Sequence, residues 1–324
     1  MATARGEGGF LVVGRAGMDL MPDPPGTPIE AAERFVPALG GSAANIAAAL
    51  TRQGCRAALV TRVSDDAIGR YCTAQLDRYG IDRTHVRPVG GEARNSLALS
   101  ESRLEGHQTV IYRNGAADFA MTEEDVERID YARHTALVTT GTVLAAEPSR
   151  SAAFRALALA RAAGCEIVFD VDSRPYSWGS AEEAAEICGR AAALSDVVVG
   201  NDVEFGVLAG DPARGLDHAR GRAASGARLV IYKMGERGAL TFSEGREVRT
   251  GVYPTRPLKP TGAGDAFLGA LLAARAAGRG VEEAVLRGSA AAAIVVSRVG
   301  CAPAMPATAE LDAFLAAHPA PLPA

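Results

Sequence analysis

The amino-acid sequence predicts an α/β fold in which helices flank a doubly wound, mostly parallel central sheet, with a small β-sheet lid. Short apolar runs recur along the chain and are typical of strands buried on both faces. They are Phe10–Val13, Ala57–Val63, Ala136–Thr140, Glu166–Val171, Asp196–Val199 and Leu229–Tyr232. Alanine-rich helical patterns separate most of them, among them Ser42–Gln53, Ser149–Ala163 and Ala181–Ala193. This alternation indicates βαβ units with parallel strands.

Two segments interrupt the alternation and supply the predicted lid. Residues 15–39 are rich in proline, and residues 86–118 contain the strand-like pieces Ser96–Ser102 and Gln108–Tyr112 around a turn. We expect both segments to be inserted in the α/β core and to cover a cleft, as loops that exclude water do. The chain is thus interpreted as a single domain over residues 1–324, with a helical C-terminal third.

Composition narrows the class of protein. The chain has 48% hydrophobic and 22% charged residues, as expected of a soluble enzyme. A net charge of −4 gives no indication of a surface that binds nucleic acid or an anionic membrane. It does not exclude a small acidic ligand. The five cysteines form no C-x-x-C pair, which predicts reduced thiols. No run is long enough to span a bilayer, and Met1–Gly9 lacks the apolar core of a secretory signal, so a cytoplasmic location is predicted.

A small-residue turn before an apolar helix carries most of the chemical information. Its sequence is Thr261-Gly262-Ala263-Gly264-Asp265, and the apolar run Ala266–Ala277 follows it. Small residues let backbone N–H groups approach a ligand, and a helix N-terminus favours anions, so the turn is suited to a phosphoryl group. We interpret Asp265 as the base that deprotonates the acceptor hydroxyl. For an isolated motif of this kind, the alternative is that Asp265 only caps its helix.

Three further segments provide the context for that motif. The first, Gly40-Gly41-Ser42-Ala43-Ala44-Asn45, places a turn and a polar amide at a helix start, where they are suited to sugar hydroxyls. The second, Asn201-Asp202-Val203-Glu204, follows a strand and offers oxygen ligands for magnesium, usually through water. The third, Lys233-Met234-Gly235-Glu236-Arg237-Gly238, is a glycine turn suited to nucleotide phosphates. Taken singly, such segments are also explained by a helix cap, a solvated acidic turn and a hairpin.

The ordered motifs resemble those of the ribokinase-like (PfkB) carbohydrate kinases over essentially the whole chain. They are a strand ending at Gly14 with Asp19 beyond it, Gly40-Gly41-x-x-x-Asn45, Asn201-x-x-Glu204, Lys233-x-Gly235-x-x-Gly238 and Gly262-Ala263-Gly264-Asp265. The resemblance implies a doubly wound core with a β-lid, ATP as phosphoryl donor, magnesium, Asp265 as base and Gly262 to Gly264 as the anion hole. The other residues assigned are Asp19, Gly40, Gly41 and Asn45 for substrate, Asn201, Lys233, Gly235, Gly238 and Thr261 for the nucleotide, and Glu204 for magnesium through water.

One departure from the family pattern concerns the monovalent cation. Many relatives carry an aspartate a few residues before the glycine-rich turn, where it helps to bind that cation, whereas this chain has Leu258-Lys259-Pro260-Thr261. Monovalent-cation activation is therefore in doubt. Our hypothesis is that the ammonium of Lys259 takes the role of the cation, and the alternative is an ordinary surface lysine.

Two arginines indicate the class of acceptor. Arg113 ends a predicted lid strand, and Arg174 lies just beyond a predicted core strand. The planar guanidinium suits bidentate carboxylate binding, and a neutral sugar would leave two such cations poorly compensated. We therefore expect a sugar acid. The alternative is that Arg174 pairs with Asp170 or Asp172 within the fold and that Arg113 is a solvated edge residue.

A narrower resemblance agrees with a sugar acid. The strings that carry it include Gly14-Arg15-Ala16-Gly17-Met18-Asp19-Leu20, Tyr112-Arg113-Asn114, Glu147-Pro148-Ser149-Arg150 and Asp172-Ser173-Arg174-Pro175-Tyr176-Ser177-Trp178. They look like the 5-dehydro-2-deoxygluconate kinases of myo-inositol catabolism and, less closely, the 2-keto-3-deoxygluconate kinases. Both groups phosphorylate the terminal hydroxyl of a six-carbon keto sugar acid, and arginines placed like Arg113 and Arg174 hold the carboxylate in the second group.

These observations predict ATP-dependent phosphorylation of the C6 hydroxyl of 5-dehydro-2-deoxygluconate. The alternatives are a 2-keto-3-deoxygluconate kinase, a fructokinase-type sugar kinase and, outside enzymes, a catalytically silent sugar-acid sensor. The intact motifs around Asp265 and Asn201-x-x-Glu204 argue against the sensor. A homodimer through the lid is also expected, because projecting strands leave unpaired edges that a second subunit can cover.

Overall fold

The structure is a computed structural model that describes residues 8–323. Most of Met1–Gly9, on which the argument against a secretory signal rests, lies outside the described residues. The strands are β1 (Gly9–Val13), β2 (Gly17–Asp23), β3 (Arg34–Gly40), β4 (Ala57–Ser64), β5 (Asp82–Val89), β6 (Leu97–Ser100), β7 (Thr109–Tyr112), β8 (His134–Thr140), β9 (Glu166–Asp170), β10 (Val197–Asn201), β11 (Leu229–Lys233), β12 (Ala239–Ser243) and β13 (Arg246–Thr250).

The helices alternate with the strands over much of the chain. They are α1 (Ser42–Arg52), α2 (Ala67–Arg78), α3 (Glu123–Glu127), α4 (Ser149–Ala162), α5 (Ala181–Ala193), α6 (Asp202–Ala209), α7 (Gly215–Ala224), α8 (Ala263–Ala276), α9 (Val281–Val296) and α10 (Thr308–Ala317). No helix within residues 8–323 has the length and apolar composition needed to cross a bilayer.

The described residues form two compact units, of which the first contains Met121–Val252 together with residues 8–13 and 321–323. Its strands are hydrogen-bonded in the order β13-β12-β11-β10-β9-β8-β1. The pairs from β11 to β1 are parallel, whereas β12 and β13 are added in antiparallel fashion. The parallel strands β1, β9 and β10 are almost wholly buried, as expected when helices cover both faces. The predicted mostly parallel α/β architecture is confirmed.

The second unit contains Gly14–Ala120 and Tyr253–Ala320. In it β4 pairs in parallel with β5, and a separate small sheet has the strand order β3-β2-β6-β7. The small sheet arises from the two segments predicted to form the lid, except that Val86 to Val89 end β5 instead, because they pair in parallel with Thr61 to Ser64. The lid role of the small sheet stays a prediction.

Close helix packing in the second unit positions the candidate site. A Cβ on Gly269 would lie 2.3 Å from the Cβ of Ala49, so the glycine lets α8 approach α1. A Cβ on Gly288 would lie 2.9 Å from the carbonyl oxygen of Phe267, so α9 approaches α8 in the same way. Since such distances are far below van der Waals contact, only glycine fits at these two crossings. The N-terminal turns of α1 and α8 carry Asn45 and Asp265, which are thereby brought within contact.

Candidate active site

The turn before α8 has the conformation that the sequence predicts. Gly262 is the N-cap residue with φ 83°, a left-handed conformation that favours glycine. A Cβ at this position would also lie 3.0 Å from Cys301 Sγ. Gly262 has no side chain with which to cap the helix, and no side-chain hydrogen bond caps α8 at this residue. The first backbone N–H groups of a helix have no partner within the helix itself. An anion is the acceptor that such groups favour.

Asp265 is the third residue of α8 and is tied to another helix. Its Oδ2 accepts a hydrogen bond of 2.8 Å from Nδ2 of Asn45, which lies 220 residues earlier in the chain. The N-cap position belongs to Gly262, so the alternative that Asp265 is merely the capping residue does not describe its contacts. The carboxylate is held beside the anion-binding turn, as a base for a substrate hydroxyl must be.

Asp19 is buried on β2. Its carboxylate and the nearby backbone of Arg15 leave no space for a side chain at either glycine of the Gly40-Gly41 motif. A Cβ on Gly40 would lie 2.0 Å from Asp19 Oδ1, and a Cβ on Gly41 would lie 2.4 Å from the carbonyl oxygen of Arg15. Gly41 also has φ 94° and is the N-cap residue of α1. The motif therefore makes room for the Asp19 carboxylate and starts the helix that carries Asn45.

Burial raises the pKa of the Asp19 carboxyl. The nearby cations of Arg15 and Lys259 oppose this shift, as does a hydrogen bond that the Cys301 thiol donates. Burial raises the pKa of the Cys301 thiol to about 12, so it stays protonated and able to donate at neutral pH.

Lys259 is a buried cation at the centre of this cluster. Its side chain is 1% exposed, and Nζ donates to the carbonyl oxygens of Thr261 at 2.5 Å and Val295 at 3.2 Å. Burial lowers the pKa of the ammonium, and the nearby carboxylates of Asp265 and Asp19 oppose that shift. The surface-lysine alternative is wrong, because a solvated side chain would not be enclosed in this way.

The choice of lysine is itself unusual in this chain. Of its 34 basic residues other than histidine only two are lysines, Lys233 and Lys259, and both fall in candidate site motifs. A compact ammonium with three donors fits between two carbonyl oxygens, whereas the planar guanidinium of arginine is larger. The space between the carbonyl oxygens of Thr261 and Val295 therefore suits an ammonium better than a guanidinium.

Arg113 is neither solvated nor free of a counter-charge. Its side chain is 8% exposed and pairs with the buried carboxylate of Asp118 at 2.5 Å, while its guanidinium lies 4.1 Å from the ring centre of Phe119. The interpretation as a solvated edge residue is therefore wrong. Because Asp118 compensates the charge, Arg113 does not by itself require an acidic ligand.

In the first unit, Asn201 and Glu204 form a reciprocal cap at the start of α6. Asn201 Oδ1 accepts from the backbone N–H of Glu204 at 2.9 Å, and Glu204 Oε2 accepts from the backbone N–H of Asn201 at 2.7 Å. The structure therefore contains the helix cap that was the alternative interpretation of this motif. Burial raises the pKa of Glu204, and the cation of Lys233, at the end of β11, opposes the shift. A cap of this kind fixes the Glu204 carboxylate beside Lys233 without occupying both of its oxygens.

The two glycines after Lys233 have different roles in the hairpin that joins β11 to β12. Gly238 has φ 84°, and a Cβ there would lie 1.9 Å from the carbonyl oxygen of Thr250, so its glycine is required by packing. Gly235 has φ 58° with open space around it. Gly235 therefore offers the exposed backbone that a phosphate could approach, whereas Gly238 shapes the turn.

Arg174 lies after β9 and is 53% exposed. It pairs with Asp172 at 3.0 Å, as the alternative interpretation of this arginine proposed. Asp172 is buried and has φ 28°, a conformation that residues other than glycine rarely adopt and that is frequent at functional sites. An exposed guanidinium held by a carboxylate can still accept a second anionic partner, since it carries five donors.

The metal requirement can be tested against the donors present. Within residues 8–323 no cluster of three or more histidine, cysteine or acidic side chains could hold a metal ion on protein ligands alone. Magnesium that is bound with nucleotide phosphates commonly uses only one or two carboxylates and keeps several waters. The donor set, with Glu204 and Asp172 on the same unit, fits such an ion and does not fit a protein-only metal cage.

The structure brings Asp19, Asn45, Lys259 and Asp265 into one neighbourhood, which contains two further residues that the sequence did not indicate. Cys301 donates to Asp19 and packs against Gly262, and Arg15 lies beside Asp19 and donates to Ser96 at 2.9 Å. Cys301 lies 36 residues after Asp265 and in no motif, so no local pattern indicates it. Arg15 could have been noticed, because a charged residue directly after a buried strand is unusual.

Comparison with known proteins agrees with this geometry. Residues 9–308 match the model of the pfkB family carbohydrate kinases. The chain is 36% identical over 310 residues to the 5-dehydro-2-deoxygluconokinase of Photobacterium profundum, covering 94% of each protein. It also resembles the crystal structure of a PfkB protein from Polaromonas sp. JS666, with a TM-score of 0.82, 30% identity and coverage of 94% and 99% of the two chains.

A further similar structure contains ligands. It is a fructokinase double mutant from Vibrio cholerae O395 bound to fructose, ADP and a potassium ion, with a TM-score of 0.84 and 26% identity, covering 97% of this chain and 100% of that one. The fold, the small-residue turn with Asp265 and the match over nearly the whole sequence lead to one conclusion: this chain belongs to the pfkB family of carbohydrate kinases and is an ATP-dependent sugar kinase.

Proposed function

We propose that the enzyme transfers the γ-phosphoryl group of ATP to the C6 hydroxyl of 5-dehydro-2-deoxygluconate, a step of myo-inositol catabolism. The observation that carries the catalytic part is the contact between Asn45 Nδ2 and Asp265 Oδ2, which holds the base at the start of α8. The names of relatives that are similar over 94% of their length support the choice of acceptor.

The residues of the second unit perform the transfer in this proposal. Asp265 takes the proton of the acceptor hydroxyl, whose oxygen then attacks the γ-phosphorus. The backbone N–H groups that follow Gly262, including those of Ala263 and Gly264, hold the charge that develops on the phosphoryl oxygens. Asp19 and Asn45 bind other hydroxyls of the acceptor, while Gly40 and Gly41 leave room for them to do so.

The residues of the first unit serve the nucleotide. Lys233 and the exposed backbone of Gly235 bind phosphate oxygens, and Asn201 positions Glu204 for magnesium through water. Magnesium, when bound, neutralises charge on the phosphates. Thr261 and Gly238 were also assigned to the nucleotide, and their contacts support a narrower role: the Thr261 carbonyl accepts from Lys259, and Gly238 shapes the hairpin.

Arg174 is the residue we propose for the acceptor carboxylate. Its side chain is 53% exposed and paired with the buried Asp172, and the planar fork of arginine suits a bidentate contact with a carboxylate. Arg113 has a buried carboxylate of its own, so its contribution to acceptor binding is smaller than that of Arg174.

We further propose that the ammonium of Lys259 makes an added monovalent cation unnecessary. The Vibrio cholerae fructokinase structure described above has a bound potassium ion. Potassium is coordinated by backbone carbonyl oxygens in selective sites, and the Lys259 ammonium occupies two such oxygens beside the glycine turn.

A dimer through the small sheet and a cytoplasmic location complete the proposal. Exposed apolar side chains lie on the edge strands of that sheet, namely Val36 on β3 and Val110 and Tyr112 on β7. Edge strands with apolar side chains are suited to covering by a second copy. Sedimentation of the wild type and of Tyr112→Lys tests this, since a monomeric wild type would contradict it.

The direct test of the proposed reaction is an ATP-consumption screen with 5-dehydro-2-deoxygluconate, 2-keto-3-deoxygluconate, fructose and ribose as acceptors. The expected result is the highest kcat/KM with 5-dehydro-2-deoxygluconate. A preference for 2-keto-3-deoxygluconate or fructose would reassign the acceptor, and no ADP formation with any sugar acid would favour the silent sensor.

A further inference from the structure

Asn45 makes a contact that its assignment as a sugar-binding residue does not explain. It lies in the first turn and a half of α1, where asparagine is a poor helix former, and its side chain is 4% exposed. Its Nδ2 donates to Asp265 Oδ2 at 2.8 Å, which joins α1 to α8. The side chain is therefore placed for something other than the stability of its own helix.

The chemistry of the partner fixes the orientation of the Asn45 amide. An ionised carboxylate only accepts hydrogen bonds, so the NH₂ group must face Asp265 and the carbonyl oxygen must point elsewhere. Within residues 8–323, Asn45 Oδ1 is buried and has no hydrogen-bond partner. A buried amide oxygen without a donor is unfavourable, which marks the place where a donor from a ligand would bind.

The only groups that satisfy this oxygen are hydrogen-bond donors, and a sugar hydroxyl is one. A keto oxygen or an ionised carboxylate cannot donate. For the acceptor proposed above, whose C5 bears a keto group, the donor must be the hydroxyl at C3 or C4. The hydroxyl that Asp265 deprotonates is a different one, at C6.

We propose that Asn45 links acceptor recognition to catalysis: Oδ1 accepts a hydrogen bond from a second acceptor hydroxyl, while Nδ2 restrains the Asp265 carboxylate in the orientation that takes the C6 proton. The inference rests on the proposed function and adds a positioning role to it. When the correct acceptor binds, its hydroxyl donates to Asn45 Oδ1. The Asn45 amide then has hydrogen bonds on both sides, which restricts its motion and so restrains the Asp265 carboxylate.

Two variants separate the positioning role from a structural one. Asn45→Leu removes both the donor and the acceptor. Asn45→Asp keeps the acceptor oxygens but loses the donor unless the new carboxyl carries a proton, in which case its O–H can replace the NH₂ group. Two carboxyls in contact share one proton with a raised pKa, so this replacement is favoured as the pH falls.

Other charged groups near the pair are the same in both variants. They are Asp19 on β2, Lys259 before α8, Cys301 after α9 and Arg15 beside Asp19. Rates are therefore expressed as the ratio of variant to wild type at each pH, so that titration of these groups is largely cancelled.

The experiment measures kcat and KM of the wild type and both variants between about pH 5.5 and 8.5, with 5-dehydro-2-deoxygluconate or whichever acceptor the wild type phosphorylates best. At pH 8.5 both variants should lose about 10²-fold in kcat, the loss typical of a misplaced reacting group. The Asn45→Asp ratio should then recover at least about tenfold towards pH 5.5 with a KM near that of the wild type, whereas Asn45→Leu should not recover and should raise KM.

Three results would overturn the inference: equal losses of kcat in both variants at every pH, near-normal turnover of Asn45→Leu, or a loss confined to KM. Thermal unfolding of all three proteins identifies a variant that fails to fold, and Asn45→Ser, which retains a donor and an acceptor on a shorter side chain, then replaces it. Failure of the proposed function can be distinguished from failure of the Asn45 inference, because only the former appears in the wild type, as the absence of sugar-acid turnover.

Discussion

Replacing Lys259 by alanine is the perturbation whose outcome the structure defines most closely. The ammonium donates to the carbonyl oxygens of Thr261 and Val295. Its removal takes the side-chain donor from the partly buried Thr261 carbonyl, whereas the Val295 carbonyl still accepts from the backbone N–H of Arg298. A carbonyl that loses its donor away from water costs about 1–3 kcal/mol. The loss is partly offset because a desolvated charge is also removed, and a net destabilisation of about 1–3 kcal/mol is expected.

The effect on turnover should exceed the effect on stability. Thr261 immediately precedes the N-cap Gly262, so loss of its anchor frees the turn whose N–H groups are proposed to bind the phosphoryl oxygens. Removing one element of such an electrostatic site lowers kcat by about 10²-fold or more. Alanine also leaves space between the two carbonyl oxygens for a potassium or ammonium ion.

The assay is ADP release by dialysed enzyme in a buffer that contains magnesium and has tetramethylammonium as the only monovalent cation, titrated with KCl, NH₄Cl or LiCl. The wild type should change by less than about twofold. Lys259→Ala should gain at least about tenfold, or about 1.4 kcal/mol of recovered interaction, with potassium or ammonium. Lys259→Met, which fills the space, is the matched control and should not recover. Activation of the wild type by potassium of several-fold would refute the reasoning.

The remaining predictions concern pH, the carboxylate and the glycine motif. Since burial lowers the pKa of Lys259, turnover should decline as the pH rises through a value below the ordinary 10.5, and a pH–rate profile without an alkaline limb below that value would contradict this. Arg174→Ala should raise KM for the sugar acid about 10- to 100-fold, as expected for a charge-assisted contact, while fructose turnover stays unchanged, and equal effects on both acceptors would show a structural role. Gly40→Ala should raise KM for the acceptor at least about tenfold, because the added Cβ would lie 2.0 Å from Asp19 Oδ1. Gly90→Ala is the control and should behave as the wild type, because its Cβ meets nothing within 4 Å.

The parallel strands and the start of α8 could be predicted from the sequence because their signals are local. An apolar run such as that of β10 needs no partner to be recognised, and small residues before an apolar run predict an anion-binding helix start. Residues 15–39 are predicted to belong to the small sheet, but the bounds of β2 and β3 within them cannot be predicted, since Pro22 and Pro37 obscure the strand pattern. In the structure Pro37 is tolerated because β3 is an edge strand.

The contacts that hold the base could not be predicted, because they join residues far apart in the chain. Asn45 and Asp265 are 220 residues apart, and Cys301 reaches Asp19 from the other end of the unit. A lysine is usually exposed, so the sequence left the environment of Lys259 open between two interpretations. The carboxylate that pairs with Arg113 becomes evident only in three dimensions, whereas Asp172 is one of the two partners that the sequence already offers for Arg174. Both pairings weaken the inference of an acidic ligand from two cations alone.

The central claim is that Asp265 is the base in phosphorylation of a sugar acid, and the kinetics of Asp265→Asn with ATP and 5-dehydro-2-deoxygluconate test it most directly. The amide keeps the shape of the side chain but cannot take a proton. General-base catalysis contributes about 10²–10⁴-fold, so kcat should fall by that factor while KM for the acceptor changes by no more than about threefold. Turnover of Asp265→Asn within about threefold of the wild type would contradict the assignment.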